Sequence, residues 1–256
     1  MSKLLETFEQ NSLPCDLLNT IYGIPVEEHF DCVFVAPSWT KDKVFGASEI
    51  NIEEMFCTRD AKTYRIKHNG KNYLFITLYI GAPVMGEFCL ACHKANCDNF
   101  VFIGSVGGMV PEIRVGDMII PEYAISGNGV TLYLHDRLDA KNLFEKTYPD
   151  SKLSARIKDI AAGQGINTLI VPVISMDSVT AEYIHMDEFR DMGAQALEME
   201  VAAFFACMSH IGKNASAILV VSDNSATGAH LVGSTDVEKA AYHATRARVA
   251  DILLKV

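Results

Sequence analysis

Three carboxylates at the ends of apolar runs are the residues of this chain best placed to do chemistry. Glu198 and Glu200 flank a methionine in Ala196-Leu-Glu-Met-Glu-Val-Ala-Ala203, where a strand-like run passes into a helix-like one. Asp223 closes Ile218-Leu-Val-Val-Ser-Asp223, an apolar run of the kind that forms a buried strand. A carboxylate in such a place costs free energy unless a partner or a ligand uses it, so the three are read together as a site. Gly104-Ser105-Val106-Gly107-Gly108, after the apolar run 100–103, is the second candidate. Its glycines would let a backbone approach a ligand, and Ser105 adds a hydroxyl beside amide donors. The spacing fits neither a dinucleotide fingerprint nor a Walker loop, so alone it reads equally well as a strand-to-loop turn.

Other motifs carry less. Cys89-Leu-Ala-Cys92-His93, with Cys97 beyond, matches a haem-attachment pattern literally and a zinc cluster loosely. It lies at helical spacing, where small buried cysteines pack well, and packing is the preferred reading. None of the eight histidines pairs at metal-ligand spacing. His68 and His135 fall in polar contexts, and His185, His210, His230 and His243 lie in or beside helix-like segments. No Gly-x-Ser-x-Gly elbow supports a serine hydrolase. No metal or organic cofactor is expected.

The elements that must position the carboxylates follow from periodicity. Short apolar runs bounded by turn residues predict strands over 32–36, 73–79, 100–103, 118–120, 169–174 and 217–221. Helical spacing covers 84–96, 151–162, 180–192, 201–210 and 236–254, with Ser234-Thr235-Asp236 as an N-cap cluster and Gly212 as a stop. Asn69-Gly70 between 63–68 and 71–78 predicts a hairpin with a tight primed turn. Strands alternating with helices imply one α/β domain over 1–256, with a central mixed, largely parallel sheet flanked by helices and the site at strand carboxyl ends. The composition, 49% hydrophobic and 21% charged, is ordinary for a globular chain of 256 residues. A formal net charge of −10 argues against nucleic acid or an anionic membrane as partner. It also means that an anionic substrate would need local donors. Seven scattered cysteines fit reduced thiols, and the N-terminus shows no signal-peptide core, so a cytoplasmic location is expected.

With these residues in view, the chain resembles the nucleoside phosphorylase family, which includes hexameric purine nucleoside phosphorylases, uridine phosphorylases and methylthioadenosine nucleosidases. Four landmarks carry the resemblance: Ile103-Gly-Ser-Val-Gly-Gly-Met109, Val115-Gly-Asp-Met-Ile-Ile-Pro121, Leu197-Glu-Met-Glu-Val-Ala-Ala203 and Val221-Ser-Asp223. It implies cleavage of the N-glycosidic bond of a nucleoside. Glu200 matches the carboxylate that binds the ribose hydroxyls and favours a cationic, oxocarbenium-like sugar, and Met199 the side chain beneath the sugar. Glu198 matches a position lining the same pocket. Asp223, with Ser222 beside it, matches the acid that protonates N7 of a purine, a role that needs a carboxyl held near neutrality. The family forms dimers, often assembled into hexamers, with sites completed across the dimer interface. A homo-oligomer is therefore implied.

The nucleophile side departs from the family pattern. Ser105, with Gly104, fits the phosphate-contacting turn, and Arg59 fits the arginine lent by a neighbouring subunit. The arginine expected before the glycines is Phe102, and the early Gly-Asp-Pro-x-Arg motif reads Pro37-Ser38-Trp39-Thr40-Lys41, so that Lys41 offers a point charge without a bidentate fork. The base-stacking aromatic is Val179, with Tyr183 the nearby alternative. No basic residue in 224–236 matches the one that supports the purine-site acid, and no histidine near Ile21 matches the one offered to the sugar. The expected activity is phosphorolysis of a purine nucleoside. Hydrolysis, with water in place of phosphate, is the alternative, and a non-catalytic nucleoside-binding protein a third.

Overall fold

The computed structural model describes residues 3–11, 16–46, 48–229 and 233–256; His230 lies outside them. The strands of the described residues are β1 Cys32–Pro37, β2 Asn51–Cys57, β3 Ala61–His68, β4 Lys71–Leu78, β5 Asn99–Gly108, β6 Met118–Ser126, β7 Lys146–Thr147, β8 Thr168–Ser175, β9 Ala196–Glu198 and β10 Asn214–Asn224. The helices are α1 Lys3–Asn11, α2 Leu17–Tyr22, α3 Lys41–Phe45, α4 Ala82–Ala91, α5 Ser151–Gly163, α6 Met186–Asp191, α7 Val201–His210 and α8 Asp236–Leu253. No helix among these residues is long and apolar enough to cross a membrane.

All ten strands join one mixed sheet, in the order β10-β6-β8-β9-β5-β1-β4-β3-β2 with β7 on β6. Because β10 also pairs with β5, the strands β5, β10, β6, β8 and β9 close on themselves, and the rest of the sheet leaves from β5 as an arm. Within the ring β5–β10, β6–β8 and β8–β9 are parallel, while β10–β6 and β5–β9 are antiparallel. In the arm β1 runs parallel to both β5 and β4, and β2, β3 and β4 form an antiparallel meander. The expected hairpin is present, with Asn69 at φ 50° and Gly70 at φ 76°, both in the left-handed region that a primed turn requires.

Alternation along β5 divides the core. Phe100 and Phe102 pack with Met85 and Phe88 of α4 and with Phe204 and Phe205 of α7. Val101 and Ile103 face the other way, against Phe45 of α3, Ile157 of α5 and Ile252 and Leu253 of α8. A capping box starts α8: Thr235 Oγ1 accepts from Glu238 N at 3.3 Å, and Glu238 Oε2 accepts from Thr235 N at 2.7 Å. Elsewhere the expectations need adjustment. The segment 84–96 forms α4 and then a 3₁₀ turn at Cys92–Lys94, and 180–192 splits into a 3₁₀ turn at Glu182–His185 followed by α6. Cys89, Cys92 and Cys97 are packed in the core, where burial holds their thiols protonated, Cys97 up to about 12.

The glycine segment is the main correction. Residues 104–108 continue β5 instead of leaving it as a loop, and Gly107 and Gly108 pair with Leu197 and Ala196 of β9. The glycines admit side chains from β10. A Cβ on Gly107 would stand 3.0 Å from Asp223 Oδ2, and one on Gly108 would stand 2.6 Å from Asn224 Nδ2. Asn224 cannot yield, because its Nδ2 donates to Val110 O at 2.8 Å and to Ile113 O at 2.6 Å. Gly108→Ala should therefore destabilise the fold by about 1–3 kcal/mol through overpacking. Denaturant titration checks this, and an unchanged midpoint would show that the Asn224 clamp is looser than its hydrogen bonds imply.

Candidate active site

The edge of β5 changes partner along its length. β1 covers it at Phe100–Phe102 and β9 at Gly107 and Gly108, so neither strand covers residues 103–106. An open cleft of about 230 Å³ occupies that gap. Gly104, Ser105, Val106 and Gly107 form its floor, Glu198, Met199 and Glu200 one wall, and Ser222, Asp223, Val179 and Glu182 another.

Glu198, the last residue of β9, builds the wall it belongs to. Its Oε2 accepts from Glu200 N at 2.6 Å and from Val201 N at 2.7 Å, and Ser175 at the end of β8 donates its hydroxyl to Oε1. Ser175 Oγ in turn accepts from Ala202 N at 2.8 Å. The first amides of α7 are thus capped by side chains, and a negative charge sits at the positive end of that helix. Burial drives the Glu198 carboxyl up to about 7, against the pull of these donors. Glu200 is driven further, to about 8, by burial and then by the charge of Glu198. Gly81 N donates to its Oε1 at 2.5 Å, from a glycine at φ 116° that no other residue would adopt without strain. Of the two, Glu198 is the better solvated by fixed donors and carries the charge more readily.

Asp223 reaches the cleft through a bulge. The β5–β10 register runs Val221 to Val106 and then Asp223 to Gly107, leaving Ser222 as the extra residue. Ser222 Oγ donates to Asp223 Oδ1 at 2.6 Å.

The structure brings Glu198, Met199, Glu200, Ser222, Asp223, Val179, Ser105 and Gly104 to the cleft and leaves Arg59 and Lys41 off its lining. Lys41 pairs with Asp42 at 2.7 Å, and Arg59 is exposed in the turn between β2 and β3. The Ser105 hydroxyl is held from behind, accepting from Trp39 Nε1 at 3.1 Å and lying 2.7 Å from the Tyr242 hydroxyl of α8. Arg246 stacks near both rings, 5.9 Å from that of Trp39 and 5.4 Å from that of Tyr242. Phe102 joins the lining beside Gly104. Among the described residues that line the cleft there are four carboxyls and no Lys, Arg or His. Nor do the described residues contain a group of three or more His, Cys, Asp or Glu placed to hold a metal.

Sequence reasoning missed Glu182, Trp39 and Tyr242. Glu182 sits in a stretch that reads as an ordinary amphipathic helix, and only the 3₁₀ turn swings it inward. The pairing of Trp39 and Tyr242 with Ser105 spans far too much sequence for any spacing rule to find.

Comparison with known proteins now adds a lineage to this geometry. Residues 44–256 match the model of the phosphorylase superfamily. The chain belongs to that superfamily. Its relatives include proteins named DeoD-type purine nucleoside phosphorylases. Those of Listeria welshimeri and Listeria innocua are 25% identical over 130 residues, covering 51% of this chain and 54% of each of theirs. The one from Limosilactobacillus reuteri is 22% identical over 174 residues, covering 68% of this chain and 72% of its own. The match thus spans about half the length of the Listeria proteins.

The raised carboxyls of this superfamily member predict a pH dependence. A group whose folded pKa lies above its unfolded value contributes stability that is full below the unfolded pKa and lost as pH rises through the folded one. Glu182, Glu198 and Glu200, at about 7, 7 and 8, place that loss between roughly pH 5 and 8. The melting temperature should fall across this window, and less steeply in Glu200→Gln. A flat or rising profile in the unmodified protein would contradict the placement of these groups.

Proposed function

We propose that this protein cleaves the N-glycosidic bond of a purine nucleoside. The observation that carries the reading is that Glu200 and Asp223, from opposite halves of the sheet ring, line one cleft with Met199. Glu200 is the acceptor for the ribose 2′- and 3′-hydroxyls, and in its ionised form it stabilises the sugar as it becomes cationic. Met199 packs beneath the sugar. Asp223, oriented by Ser222, gives its proton to N7 as the C1′–N9 electron pair leaves with the base. Val179 is an apolar wall for the base.

The acceptor that attacks C1′ is the finer question, and the charge of the cleft favours water. Phosphate carries a negative charge, the described lining supplies no cation to meet it, and each of its four carboxyls that ionises would oppose it. Ser105, the hydroxyl best placed for phosphate, is already engaged by Trp39 and Tyr242. Phosphorolysis is the second reading, supported by the names of the relatives. It requires a cation from a second copy of the chain, for which the exposed Arg59 is the candidate, with Lys41 nearer home.

Base release from adenosine, inosine, uridine and methylthioadenosine, followed with and without phosphate, separates the readings. Release without phosphate supports hydrolysis. A strict phosphate requirement, with the phosphate-driven release lost in Arg59→Ala, supports phosphorolysis completed by a second copy of the chain. Nucleosides that raise the melting temperature and are never cleaved would make the protein a binder. Asp223→Asn should slow purine release at least a hundredfold while changing nucleoside affinity far less; equal losses in both would refute the acid role.

A further inference from the structure

Most of the polar side chains that build the cleft have partners within the protein. Glu198 is held by Ser175 and two amides, Glu200 by Gly81, Ser105 by Trp39 and Tyr242, and Asp223 by Ser222. Glu182 opens the 3₁₀ turn that follows Val179, is 8% exposed and lines the cleft on the same side as Asp223. Among the described residues its carboxyl makes no hydrogen bond and no ion pair; only its backbone is tied, with N donating to Ser178 O at 3.2 Å. Burial, then the charge of Asp223, pushes it up to about 7. A largely buried residue whose carboxyl no described residue satisfies, and which faces an open cleft, is placed to meet a ligand donor.

We propose that Glu182 selects the base. Its carboxyl accepts a hydrogen bond from an N–H donor on the six-membered ring of the bound purine, so the site prefers purines with an amino group or a ring N–H over those with neither. This rests on the nucleoside reading above and names what that site discriminates. Among the described residues the lining offers no Asn, Gln, Lys, Arg or His to read a ring edge. Its remaining polar side chains are serines and carboxyls, and at the base end Ser222 is already committed to Asp223. Glu182 is left as the group able to tell one purine from another, and as a carboxylate it can only accept. An edge that also only accepts would leave both sides unpaired in a buried place, which is the stronger form of discrimination.

The test compares kcat/KM for adenosine, inosine and unsubstituted purine riboside, which has no donor on that ring, at about pH 8.5, where Glu182 is ionised. The unmodified protein should prefer the donor-bearing substrates, and Glu182→Ala should shrink that preference about tenfold or more. Glu182→Gln, whose amide carbonyl still accepts, should keep part of it. Both variants should melt no lower than the parent, since no partner is lost. Calorimetry on the unmodified protein gives an independent readout, with adenine bound about tenfold more tightly than purine. A preference unchanged in Glu182→Ala, or equal affinities for the two bases, overturns the role of Glu182 and leaves nucleoside cleavage standing. A protein that neither cleaves nor binds any of these compounds overturns both.

Discussion

Glu198 ties the last residue of β8, the last residue of β9 and the first turn of α7 into one corner, and the cleft is built on that corner. A carboxylate buried this deeply would ordinarily be expelled or neutralised. It is tolerated because the amides of Glu200 and Val201 and the Ser175 hydroxyl all point at it. The two amides are among those a helix start leaves unsatisfied, so each side removes the other's penalty. The arrangement also fixes where the chain goes next. Met199 and Glu200 lie in the link between capped strand and capped helix, and their position follows from Glu198 with little freedom.

Around that corner the sheet supplies an opening. An unbroken sheet would have paired residues 103–106 of β5; the handover from β1 to β9 leaves that edge unpaired by either strand, and Gly104, Ser105 and Val106 along it line the cleft. The glycines there serve approach from both sides. They leave a ligand room above the floor and let Asp223 and Asn224 of β10 come close beside it. The bulge at Ser222 then decides that a carboxylate meets Gly107. Among the described residues, what gathers in this space is acid, suited to stabilising cations, accepting donors and delivering protons.

Much of this was legible beforehand. The strand-to-helix passage at 196–203 and the end of the apolar run at Asp223 were readable because buried carboxylates are rare enough to stand out against their neighbours. The helices α5, α7 and α8 and the Asn69-Gly70 hairpin followed from periodicity and local turn chemistry. The strand character of 104–108 did not, since glycine weakens every local signal for a strand and only pairing with β9 and β10 supplies it. Glu182 was invisible for a related reason: its burial depends on a turn whose geometry is set by the packing of the following helix. The engagement of Ser105 by Trp39 and Tyr242 joins residues 39, 105 and 242, a tertiary fact with no trace in spacing.

The closed ring of strands has a consequence for how the protein comes into being. β5 finds one neighbour, β1, before it in the chain, and another, β10, more than a hundred residues after it. Contacts so distant in sequence form late, after the loops between them have lost most of their freedom. The cleft borrows from Pro37 at one extreme and Asp223 at the other. The floor and the Glu198–Glu200 wall can meet once β9 pairs with β5, and the cleft gains Asp223 only when the last strand, β10, takes its place beside β5.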